Sequence, residues 1–175
     1  ITNARRSASR RSNPNPLTLC YEVDLREGAG AAPRTARYYG QVFRDGASAQ
    51  AVHGTAALHI PALDLLLWPW PADPALPQLA ALLDPRSALP FWGCAADEVQ
   101  VLRYLPERRA TLRYRHADGR TLFAKTYGEA HAHAIHQRFD WAWDLSQREI
   151  TAPRVARPLQ GNDAEHTLWQ QAATG

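Results

Sequence analysis

The chain has 175 residues, of which 45% are hydrophobic and 21% charged, with a formal net charge of +3. That length holds one ordinary domain or two very small ones, and that balance excludes a disordered chain. No apolar run reaches the roughly 18 residues of a membrane span, so no membrane partner is expected, and the charge is too mild to demand nucleic acid.

The first residues, "ITNARRSASRRS", are rich in Arg and Ser and lack the apolar stretch of a secretory signal. The chain starts at Ile1 and contains no Met. It is therefore read as a piece of a longer, cytoplasmic polypeptide. As a basic nucleic-acid arm the segment lacks interleaved aromatic residues, so it reads as a solvated tail. Cys20 and Cys94 fit no metal-ligand spacing and read as buried free thiols in a reducing compartment.

Residues 1–60 read as a degenerate β-rich copy of a unit that recurs later. "LTLCYEV" and "YYGQVF" are its strands. Residues 61–98 read as a packed connector rich in Pro, Leu and Trp. Its prolines forbid a long helix, but "PALPQLAALLDP" suits a short one. Residues 99–175 begin with strands in "VQVLRY", "ATLRYRH" and "TLFAKTY". In the second of these, Ala110, Leu112 and Tyr114 point one way and Thr111, Arg113 and Arg115 the other. Asp118-Gly119 signals a two-residue hairpin turn. A helix follows in "GEAHAHAIHQRFDWAWDLSQ", with Ile135, Phe139 and Trp143 as its apolar stripe. His131, His133 and His136 lack a metal-binding pattern and read as polar helix surface, so no metal site is expected. "RVARPLQ" and "HTLWQQA" close the chain as a hairpin around "GND". The predicted order is β-β-β-α-β-β. The predicted class is α+β: an antiparallel β-sheet with a packed helix, preceded by a degenerate β-hairpin copy.

The copies match through Thr18-Leu19-x-Tyr21 and Thr111-Leu112-x-Tyr114, through "YYGQVF" and "LFAKTY", and through Ala51-Val52-His53 and Ala134-Ile135-His136. Gln41 then aligns with Lys125, which is the only lysine in a Lys+Arg count of 20. On a strand, Phe123, Lys125 and Tyr127 share one face. An ammonium among aromatic rings needs an anionic partner or must shift its pKa. A nucleotide offers phosphate to Lys125 and a purine face to Phe123. The competing reading leaves Lys125 on a solvent-facing strand with no role.

With its element order and its "LRY-x-P-x-R", "LRY" and "F-x-K-x-Y" segments, the stretch from Val99 to Gly175 resembles the small lobe of the aminoglycoside phosphotransferase and choline kinase-like family, which has the protein kinase-like fold. The resemblance implies an ATP-binding small lobe ending at the hinge. The enzyme would pass the γ-phosphate of ATP to a hydroxyl of a small-molecule acceptor. Lys125 would hold the α- and β-phosphates and Phe123 would line the adenine slot. Arg108 and Arg109 would contact phosphate from the loop "LPERRA", and the hinge at Gln171, Ala172 and Ala173 would meet the adenine edge. No residue of this chain would be catalytic. The catalytic residues and the ligands for Mg²⁺ would lie in a C-terminal catalytic lobe of the same polypeptide. The chain departs from the family's pattern in the helix, where a mid-helix glutamate would pair with the lysine. The candidates for orienting Lys125 are His136, Gln137, Glu129 and Asp140. The alternative is a non-catalytic pseudokinase or interaction module, touching nucleic acid through its Arg-rich surface.

Overall fold

The computed structural model describes residues 4–8, 16–25, 32, 34–148, 154–159 and 166–172. The protein is α+β, and its chain divides into two compact units, Ile1–Asp73 and Pro74–Gly175. The division falls inside the connector read from the sequence. Residues 65–69 complete the first sheet, and residues 74–97 pack in the second unit.

The first unit is a five-stranded antiparallel sheet of β1 (Ala4–Ala8), β2 (Leu17–Leu25), β3 (Arg34–Val42), β4 (Leu58–Ile60) and β5 (Leu65–Pro69), in the order β1-β2-β3-β5-β4. The expected solvated tail therefore contains an edge strand, since Ala4–Ala8 pair with Val23–Leu19. A four-residue helix, α1 (Ser48–Ala51), follows β3. The core stacks Tyr39 on Trp68 at 5.0 Å and adds Leu66, with Ala51 and Val52 packed against it. Gly40 is needed here: a Cβ would lie 2.7 Å from a Leu67 methyl and 3.2 Å from one on Leu65.

The second unit opens with α2 (Leu79–Leu82), a 3₁₀ turn at Pro85–Ala88 and α3 (Leu89–Trp92). Then come β6 (Glu98–Leu105), β7 (Arg109–Arg115), β8 (Thr121–Tyr127), α4 (Glu129–Arg148), β9 (Pro158–Leu159) and β10 (Thr167–Gln171). The sheet order is β6-β7-β8-β10-β9. The predicted alternation holds: Ala110, Leu112, Tyr114, Leu122, Ala124 and Thr126 are all at most 1% exposed. The leucines of the connector account for that burial. Leu76 and Leu79 are fully buried, Gln78 donates to the Thr126 hydroxyl, and the Tyr114 hydroxyl donates to the Leu82 carbonyl. Burial pushes the Tyr114 pKa well above the usual tyrosine value. The cysteines are free and half-buried rather than buried, and burial raises the Cys20 thiol.

The β7–β8 connection differs from the two-residue turn expected. His116 N–H donates to the Arg120 carbonyl, leaving a three-residue loop of Ala117, Asp118 and Gly119. Gly119 takes the left-handed conformation (φ +91°) that this loop requires, and few other residues accept it. The Asp118 carboxylate accepts from the Arg120 N–H at 3.0 Å and the Arg120 side chain at 2.7 Å. The Arg120 N–H, joined by the His116 and Arg120 side chains, pushes the Asp118 pKa down to about 2. Hydrogen bonding to the charged form favours it, so the loop keeps this support above the usual value of about 4 and loses it as pH falls towards about 2. In an acid titration the Arg120 amide proton is expected to shift with a midpoint near pH 2. A midpoint near pH 4 would show that the loop bonds are absent in solution.

The two sheets share more than strand order. Thr18 pairs with Gln41 as Thr111 pairs with Lys125. Leu19 faces Gly40 as Leu112 faces Ala124, and Tyr21 faces Tyr38 as Tyr114 faces Leu122. On the other side, Leu66 faces Gln41 as Leu168 faces Lys125, and Trp68 faces Tyr39 as Gln170 faces Phe123. A one-residue slip would break every one of these rungs, so the short sequence matches between the copies coincide with one shared ladder.

Candidate functional site

Lys125 sits near the middle of β8, between Thr111 on β7 and Leu168 on β10. Residues directly opposite on antiparallel strands share a face. The Lys125 face therefore carries Arg109, Thr111 and Arg113 from β7, Phe123 and Tyr127 from β8, and Leu168 and Gln170 from β10. Helix α4 packs over this face, because the Lys125 ammonium lies 5.5 Å from the centroid of the Phe139 ring.

That ring supplies a cation–π contact but no charge neutralisation. Among the described residues no carboxylate lies within ion-pair distance of Lys125. Burial, and then the Arg109 guanidinium, push the Lys125 pKa below the usual lysine value. Burial raises the Tyr127 phenol, with Arg109 opposing it. Arg109 is thus close enough to act on both groups. Gln170 is 3% exposed, yet among the described residues its Nε2 finds no hydrogen-bond partner, and the buried Nδ1 of His166 is in the same condition. The His166 carbonyl accepts the Tyr127 N–H, which places that residue at the same end of the face as Arg109. Buried polar atoms without partners are costly, typically about 1–3 kcal/mol each. Gln170 on β10 and His166 just before that strand lie to either side of Leu168, the residue opposite Lys125.

The first unit shows the same face without that chemistry. Gln41 stands where Lys125 does, and Trp68 stands where Gln170 does. Trp68 stacks on Tyr39 and closes the face as an apolar core. The first unit buries an aromatic pair at rungs where the second carries Phe123 and Gln170.

The predicted phosphate loop is a tight turn of Pro106, Glu107 and Arg108 between the paired Leu105 and Arg109. Glu107 has φ +62°, and the Arg108 carbonyl accepts the Gly128 N–H at 3.1 Å. A Cβ on Gly128 would lie 3.1 Å from the Glu107 carbonyl oxygen, so glycine permits this anchor. The loop is thereby tied to the junction of β8 and α4. Arg109 belongs to the Lys125 face, whereas Arg108 is exposed.

The orienting candidates are spread along α4. Gln137 and Asp140 are exposed, each one position after a half-buried residue, His136 and Phe139 respectively. The Glu129 side chain lies outside the described residues. A described helix residue that meets Lys125 is Phe139, identified from the sequence as part of the apolar stripe but not as a lysine neighbour. At the predicted hinge, the Gln171 N–H donates to the Arg157 carbonyl and the Ala172 N–H to the Thr121 carbonyl, both at 3.3 Å. Those two donors serve the sheet rather than a base edge, and Ala173 lies outside the described residues.

No protein-family model, curated protein or solved structure matches the chain. Among the described residues no helix is long and apolar enough to cross a membrane, and no group of three His, Cys, Asp or Glu side chains is placed to hold a metal ion.

Proposed function

We propose that the second unit binds ATP as the small lobe of an aminoglycoside phosphotransferase-like kinase. Lys125 and Arg109 hold phosphate oxygens, and Phe123, two positions before Lys125 on the same strand face, lies against the adenine. The observation that carries this reading is the half-buried Lys125 ammonium, which has a second cation beside it and no described carboxylate. The unpartnered Gln170 Nε2 on the same face adds a donor of the kind a nucleotide accepts. The matching face of the first unit, sealed by Tyr39 and Trp68, is assigned no nucleotide. Bound ATP supplies the phosphoryl group, and this chain's residues bind and orient it. The proposal assigns the Mg²⁺ ligands, the catalytic groups and the pocket for a small hydroxyl acceptor to a C-terminal lobe of the same polypeptide.

The test is calorimetric titration of the 175-residue chain with ATP and with adenosine. Charge-assisted hydrogen bonds contribute roughly 1.5–3 kcal/mol each, so Lys125→Ala is expected to weaken ATP at least about tenfold. It should leave the weaker adenosine affinity within about twofold, because the base contact is untouched. Equal ATP affinity in wild type and variant would refute the assignment.

A further inference from the structure

The last turns of α4, the segment Arg154–Arg157 and the end of β10 enclose a cleft of about 360 Å³, within the range of small-molecule sites. Its wall includes Trp143, Ser146, Gln147, Arg154, Arg157 and Gln171. Among the described residues the lining contains two guanidinium groups and no carboxylate. Neither Arg154 nor Arg157 pairs with an acid among the described residues. The nearby carboxylate of Asp144 is engaged with Arg148, at 3.9 Å. The C-terminal end of a helix carries about half a negative charge, so two full positive charges leave the cleft cationic.

The frame of the cleft is held in place. The Ser146 hydroxyl donates to the Trp143 carbonyl at 2.7 Å, and the Gln147 amide donates to the Ser146 hydroxyl at 3.3 Å. The Gln171 N–H donates to the Arg157 carbonyl, which fixes the backbone of that arginine against the end of β10. Two planar guanidiniums suit the oxygens of one dianion, and an indole beside them offers a flat apolar wall.

We infer that this cleft binds a small molecule carrying a phosphate monoester next to a planar ring. The inference does not rest on the ATP reading, since neither Lys125 nor its face lines the cleft. Free phosphate and a ring-bearing phosphate ester share the same anion, and Trp143 separates them.

The probes are phenyl phosphate and inorganic phosphate, added to the full 175-residue chain and followed by nitrogen-edited NMR. Phenyl phosphate is expected to shift the Trp143 indole signal and the Arg154 and Arg157 side-chain signals saturably. Exchanging both arginines for glutamine, R154Q with R157Q, is expected to weaken it about tenfold or more. Trp143→Leu should weaken phenyl phosphate several-fold and leave inorganic phosphate unchanged, as stacking predicts. Both arginines are exposed, so the double variant should keep the wild-type circular dichroism, and R157Q alone serves if it does not. Lys125→Met should leave the phenyl phosphate shifts of Trp143, Arg154 and Arg157 as in the wild type. The inference is overturned by unsaturable shifts, by wild-type affinity in the arginine variants, or by perturbations that gather at Lys125 and vanish in Lys125→Met. Failure of ATP binding with these results intact would remove the kinase reading alone.

Discussion

Trp169→Ala is expected to destabilise the second unit by about 3–5 kcal/mol, the range for removing a large aromatic residue from a packed core. Trp169 is 3% exposed in the middle of β10, opposite Ala124. Its indole meets the Tyr114 ring at 5.0 Å and the Phe91 ring at 4.7 Å. It therefore ties β10 to β7 through Tyr114 and to α3 through Phe91. The neighbours cannot fill the space it leaves. Ala110 and Ala124 are small and fully buried, and Tyr114 is held by its hydroxyl on the Leu82 carbonyl. The cost depends on how far a site can collapse, and this one is braced on both sides. Because the chain has two compact units, one unfolding free energy does not describe it. The measurement is urea dependence of amide exchange at Leu112, Leu122 and Ala124, compared with Tyr39 and Leu66 in the first unit. A loss below about 1 kcal/mol at the three second-unit amides would show that the aromatic cluster does not carry that core.

The strands of the second unit were legible because they obey the simplest pattern. "ATLRYRH" and "TLFAKTY" alternate, and the connector leucines cover the side that alternation turned inward. What escaped the sequence depended on partners far along the chain. Ala4–Ala8 carries Arg5 and Arg6 and looks like tail; only its pairing with β2 makes it a strand. Leu65–Pro69 sits among prolines that argue against a strand, but Pro69 occupies the last position, where a missing N–H is tolerated. Asp118-Gly119 marked the right corner, and the loop took in Ala117 because a left-handed glycine also closes three-residue hairpins. In the site, strand period alone placed Phe123, Lys125 and Tyr127 on one face. Gln170 was invisible as a site residue, since glutamine in a strand ordinarily faces water. Its counterpart Trp68 could have flagged it, had the ladder between the copies been extended to the fifth strand. Phe139 belonged to a recognised stripe, but the rung it covers depends on the angle at which α4 crosses the sheet.

Lys125→Met is expected to make the protein more stable and less able to bind ATP. The sign follows from the pKa. Burial and Arg109 lower the Lys125 pKa in the folded chain, while the unfolded chain keeps the ordinary value of about 10.4. Between those two values the unfolded state binds more protons, so wild-type stability rises with pH across that window. Below the folded pKa, at neutral pH, the cost of holding the charged ammonium against Phe139 and Arg109 is present in full. Methionine has a similar length and suits the half-buried aromatic surroundings without that cost. The side chain is only half-buried, so solvent screening discounts the gain, and the variant is expected to melt higher than the wild type at neutral pH. The variant should also lose the alkaline rise in stability between the folded pKa and about pH 10.4. Phosphate would reverse the balance in the wild type, because an anion beside Lys125 restores its pKa and repays the burial. Thermal melts at neutral and alkaline pH, with and without ATP, separate the outcomes. A chain in which Lys125→Met melts lower than wild type at neutral pH without ligand would mean that an acid already neutralises the lysine, and this unit would then have no reason to seek a phosphate.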